Sequence, residues 1–175
     1  MVPSLPPLRM RWPRHHRIQG RDRQGVARRR MRAHHPGRLV KVWSVATKSL
    51  VSTCAGHTGV VFAVAAMPDG ERILGGGYDC TIRVWLLDGT LENTFRLHTD
   101  AVRALVALPD NQHALSGSVD DTVKLFNVND GTVLRTFRHH THNVVSFALL
   151  PDGLRFVSCS ADNTARIAYH GLAPQ

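Results

Sequence analysis

From residue 38 onward, apolar and polar positions alternate in short runs, each closed by glycine, proline, aspartate or asparagine. Runs such as VRALVAL (102–108) and DTVKLFNV (121–128) set branched and aromatic residues near every second position, the spacing of a strand that buries one face. Read this way, the chain contains thirteen strands: 38–44, 49–55, 60–67, 72–76, 81–86, 90–97, 102–108, 113–118, 121–128, 132–138, 144–150, 155–160 and 164–170. Their short, near-even spacing predicts an all-β array of antiparallel neighbours.

The array is periodic. His57, His98 and His140 are each followed eleven positions later by Pro-Asp (Pro68-Asp69, Pro109-Asp110, Pro151-Asp152) and twenty-two positions later by Asp79, Asp120 and Asp162. The copies begin 41 and 42 residues apart, and each full copy holds four strands. A period of this length belongs to stacked supersecondary units, so function is expected on the surface of the stack.

Charge divides the chain in two. Of 22 basic and 13 acidic residues, residues 1–37 hold ten arginines and the single acid Asp22, which leaves the remainder neutral. The first 37 residues, rich in Arg, His and Pro, lack a regular apolar stripe and are expected to be disordered. Arg28, Arg29, Arg30 and Arg32 form a basic cluster suited to nuclear import or to a salt-dependent contact with nucleic acid. Three cysteines, Cys54, Cys80 and Cys159, share neither a repeat position nor a metal-type spacing, which points to a reducing compartment. The longest apolar run, VVFAVAAM at 60–67, is far too short to cross a bilayer as a helix. Prolines interrupt the N-terminal segment where a secretory signal needs an apolar stretch. An intracellular protein of cytoplasm or nucleus, without a membrane partner, is expected.

The text carrying the repeat is AGHTGVVFAVAAMPDGERILGGGYDCTIRVW, HTDAVRALVALPDNQHALSGSVDDTVKLF and HTHNVVSFALLPDGLRFVSCSADNTARIAY. It resembles the WD (Trp-Asp) repeat, whose four-stranded blades stand around an axis as a β-propeller. The resemblance implies a partial, open propeller over 38–170: a partial blade at 38–56, blades at 57–97 and 98–139, and a blade at 140–170 lacking its outer strand, followed by a short tail at 171–175. Closed propellers have four to eight blades, so this arc is expected to expose apolar faces and strand edges.

An imidazole donating to a carboxylate at one end of a blade satisfies two partly buried groups at once. In the family this tie continues through a strand hydroxyl to the indole N–H of a tryptophan. By position, the first blade holds His57, Asp79 and Trp85 with Gly75 in place of the hydroxyl. The second holds His98, Ser116 and Asp120 with Phe126 at the tryptophan position, and the third holds His140, Ser158 and Asp162 with Ala168 there. No blade is complete, and the third, with its small Ala168, is expected to be the least stable.

Catalytic, cofactor and metal sites are not expected. The identical placement of the His and Asp residues assigns them to structure. In HHTH (139–142), adjacent side chains of an extended segment should point apart, which argues against a metal cluster. Gly75-Gly76-Gly77 lacks the Lys-Ser/Thr of a phosphate loop and reads as a strand weakened by glycine. By the resemblance, the rim at the His/Asp end is where partners dock. Tyr78, Asp100, Arg103 and His142 are its candidate contacts, Tyr78 and Arg103 being anchor types at interfaces.

These readings imply a non-catalytic protein–protein interaction scaffold, a fragment or short form of a longer propeller. Its partners are other proteins, with homodimerisation or docking on another propeller segment as routes to closure. The alternatives are a nucleic-acid-associated protein whose affinity comes from the basic tail, and a truncated product without independent function.

Overall fold

A computed structural model of the chain describes residues 37–172, so the expected disordered tail and its arginine cluster lie outside the described residues. All thirteen expected strands form. A leading pair, β1 (Val40–Ser44) and β2 (Ser49–Cys54), makes a two-stranded sheet. The first blade is β3 (Val61–Ala66), β4 (Arg72–Gly77), β5 (Ile82–Leu86) and β6 (Leu91–Phe95). The second is β7 (Val102–Ala107), β8 (His113–Ser118), β9 (Val123–Asn127) and β10 (Val133–Phe137). Among the described residues the third has three strands, β11 (Val144–Leu149), β12 (Arg155–Ser160) and β13 (Ala165–Tyr169), and no outer one.

Each sheet is an antiparallel meander, because its turns are too short for anything but a hairpin. The turn chemistry repeats with the chain. The turn after each inner strand needs a left-handed residue, supplied by Gly70, Asn111 and Gly153 at φ between 57° and 73°. The next turn places Cys80, Asp121 and Asn163 in the same region, at φ of 61–66°. Each inner pair also slips register at the same point, between Val61 and Ala63, Val102 and Ala104, and Val144 and Ser146. A bulge there re-aims the inner strand at the turn bearing the repeat histidine.

The core lies between blades. One layer joins Leu74, Ile82 and Val84 of the first blade to Val102, Ala114 and Phe126 of the second. The other joins Leu115, Val123 and Leu125 of the second to Val144 and Phe156 of the third. Strand alternation produces this: one face of each blade meets the blade before it, and the other meets the blade after it.

The glycine run of β4 lies in the expected strand and adds a packing role. A Cβ on Gly75 would sit 2.7 Å from the Trp85 ring, one on Gly76 2.6 Å from the Val102 side chain, and one on Gly77 2.9 Å from the His57 imidazole. These glycines are points of close packing, and the strand is fully paired on both sides.

Candidate functional site

At one end of each blade, the turn entering the inner strand meets the turn between the second and third strands. His57, His98 and His140 bring Nδ1 to within 2.8–2.9 Å of Asp79, Asp120 and Asp162. A carboxylate can only accept, so Nδ1–H donates and Nε2 is left as an acceptor. In the second and third blades that acceptor takes the hydroxyl proton of Ser116 and Ser158, each at 2.8 Å.

Sequence reasoning missed a recurrent threonine. Thr81, Thr122 and Thr164, two residues beyond each aspartate, donate their hydroxyls to it at 2.6–2.7 Å. The backbone N–H of Thr58, Thr99 and Thr141 donates to the same carboxylates at 2.8–3.1 Å. Both sets are in phase with the histidines and could have been read from the repeat. Burial pushes the Asp79 and Asp120 carboxyls up, but the Thr, His and backbone donors outweigh it and hold them well below the usual carboxylate range. For Asp162 the Thr164 hydroxyl is the main cause of a similar depression.

The fourth link differs from blade to blade. Trp85 departs from the expected chain: with no hydroxyl at Gly75, its indole N–H donates to the Ala55 carbonyl at 3.0 Å. His57 Nε2 is buried without a partner, its ring tilted against Trp85 with centroids 5.5 Å apart. In the third blade, His139 and His140 do not diverge as expected. Residues 138–140 are outside any strand, so the two rings turn to the same side, with centroids 4.7 Å apart. His139 Nε2 lies 2.9 Å from Ser158 Oγ and donates to it.

The proton chain then runs His139 to Ser158 to His140 to Asp162. His139 packs on Phe137 and Phe156 as well. It touches the strand hydroxyl and the repeat histidine, the two positions Trp85 covers in the first blade, and so fills the neighbourhood that Ala168 leaves open. The residue before each repeat histidine and the residue at the tryptophan position trade size: Gly56 with Trp85, Leu97 with Phe126, His139 with Ala168.

Beside this end lie the rim residues. Tyr78 is exposed, its ring edge-on to Phe62 at 6.3 Å. Arg103, on the inner strand of the next blade, sets its guanidinium 4.6 Å above the same Phe62 ring. Phe62, absent from the candidates read from sequence, thus links two of them across a blade boundary. Among the described residues no carboxylate pairs with Arg103. Asp100 and His142 stay apart from this cluster: Asp100 accepts from Ala101 N and Ser118 Oγ, and His142 Nδ1 accepts from Asn143 N. No group of His, Cys, Asp and Glu among the described residues has a metal-binding arrangement, and none of their helices is long and apolar enough to cross a membrane.

In-phase sheets, interblade cores and a repeated His–Asp tie define an open β-propeller arc. The model of the WD domain, G-beta repeat, matches residues 48–85, 89–127 and 131–167, more than half of the chain, and the chain belongs to that family. It is 41% identical over 51 residues to the small ribosomal subunit protein RACK1 of Neurospora crassa, a match covering 29% of this chain and 16% of that protein. The crystal structure of the WD40 β-propeller domain of Doa1 is similar with a TM-score of 0.70 and 34% identity, over 76% of this chain and 44% of that one. The chain therefore spans less than half of each of these relatives.

Proposed function

We propose that the chain is a non-catalytic protein-binding scaffold and that partners dock on the rim at Tyr78, Phe62 and Arg103. Membership of the WD-repeat family supports protein binding in general. The observation that carries the rim assignment is the exposed ring–ring–guanidinium cluster, held across two blades with its cation unpaired. Aromatic and arginine side chains that are already ordered lose little entropy on binding and anchor interfaces out of proportion to their number. An acidic group beside an apolar side chain on the partner complements it. The His, Asp, Ser and Thr residues act one layer below, fixing the turns that present the cluster. The arc spans under half of the solved domain it resembles.

The test compares proteins captured by the wild-type chain with those captured by Tyr78→Ala and Arg103→Ala, using quantitative mass spectrometry. Partners of the rim should fall by about tenfold or more, the effect of losing an interface anchor, while the melting temperature stays unchanged. A capture profile indifferent to both substitutions refutes the rim. A profile that vanishes only on deletion of residues 1–36, in a salt-dependent way, supports nucleic-acid association through the tail instead.

A further inference from the structure

The two ends of the arc carry matching halves of one packing surface. On the trailing side, Ile167 of β13 stands in phase with Val84 and Leu125, which are 0% and 1% exposed because the following blade covers them, whereas Ile167 is 64% exposed. Its cross-strand partner Val157 is in phase with Leu74 and Leu115, both fully buried. On the leading side, Trp43 of β1 stands in phase with Trp85 and Phe126, both 0% exposed, yet is itself 58% exposed. Phe126 and Val84 belong to the same interblade core. The register that places Phe126 and Val84 in one core inside the chain would bring Trp43 of one copy into a shared core with Ile167 of another.

We propose that the occupant of both faces is a second copy of this chain, docked head to tail so that the two arcs close one ring. Two features favour a second copy. The faces are complementary by the chain's own repeat register, and the repeat bodies, residues 38–175, are electrically neutral and do not repel one another, the chain's +9 lying in residues 1–37. Each copy contributes two four-stranded sheets, one three-stranded and one two-stranded, so two copies supply eight sheets, four of them complete blades, and come close to the length of the solved domain of which one spans 44%. A head-to-tail contact repeated by a two-fold axis closes after two subunits; otherwise it propagates as an open assembly. The inference rests on the register and is independent of what binds the rim.

Light scattering on the eluting full chain, at loading concentrations up to about 100 µM, should give twice the 19.4 kDa chain mass. Ile167→Lys and Trp43→Lys each place a charge on one exposed face without touching a protomer core, and each should yield monomers with an unchanged circular dichroism spectrum. Leu134→Lys, on the exposed outer strand β10, should leave the dimer intact. Mixing the Ile167→Lys and Trp43→Lys chains should restore dimers, because one intact contact forms between them; a face-to-face dimer gives no such rescue. A monomeric wild type at the highest concentration, as expected if missing blades of a longer chain cover these faces, overturns the proposal. So does a dimer insensitive to both substitutions, or a mass that climbs beyond two copies.

Discussion

Replacing His139 by alanine removes the donor to Ser158 and the ring packed between Phe137, Phe156 and His140. The lost hydrogen bond is worth about 1 kcal/mol. Emptying a half-buried ring site adds about 1 kcal/mol more, less than the full cost of a large-to-small change in a sealed core. A total of about 2 kcal/mol lowers the melting temperature by about 6–8 °C for a body of this size. Calorimetry or a circular dichroism melt reads it, and a double-mutant cycle with Ser158→Ala isolates the bond, with an expected coupling of about 1 kcal/mol. The same residue gives a pH signature. Burial first, then the electrostatic influence of neighbouring His140 and Arg166, push the His139 imidazole below its ordinary value, with Asp162 opposing them. The fold thus favours neutral His139, and its contribution is complete above the ordinary imidazole value of about 6.5 and is lost as pH falls below it. His139→Gln keeps an amide donor and cannot titrate, so its melting temperature should fall less than the wild type's between about pH 7.5 and 5.5. Zero coupling in the cycle would refute the chain of donors described for the third blade, and an equal acid response in His139→Gln would refute the burial of a neutral imidazole there.

Three further substitutions test the same architecture by thermal melts. Gly75→Ser offers a hydroxyl to the orphaned His57 Nε2, but its Cβ would lie 2.7 Å from the Trp85 ring, so it should destabilise by about 1–3 kcal/mol, the range for overpacking. Ala168→Trp restores the family residue in space His139 already holds and should destabilise alone; with His139→Gly added, the melting temperature should recover above that of either single change. Thr122→Val removes the hydroxyl that donates to Asp120 at 2.6 Å and should cost about 1–2 kcal/mol. The Asp79 and Asp120 carboxyls, held low by their donors, add stability above the ordinary carboxylate value of about 3.9. Their contribution should be lost only in strong acid as pH falls toward their folded values, a window well separated from that of His139.

The architecture follows from the repeat written along the chain. Alternation fixes which residues can pair as strands, and a 41–42-residue period with His, Pro-Asp and Asp in phase leaves few ways to stack the units. All thirteen strands and their antiparallel order were legible because both rest on local chemistry: short turns, left-handed Gly and Asn, and period-two burial. Thr81, Thr122 and Thr164 were legible too, since they recur in the same register as the aspartates they serve. Other features depend on contacts between residues far apart in the chain. Gly75 reads as a missing hydroxyl until Trp85 is seen to occupy its space. His139 reads as a bystander until the turn it sits in leaves the extended conformation and aims it at Ser158. Phe62 enters the candidate site only because Arg103 of the next blade closes over it. A repeat specifies each unit through its own residues, but the packing between units depends on which side chains meet across the gap, and no period along the chain encodes that.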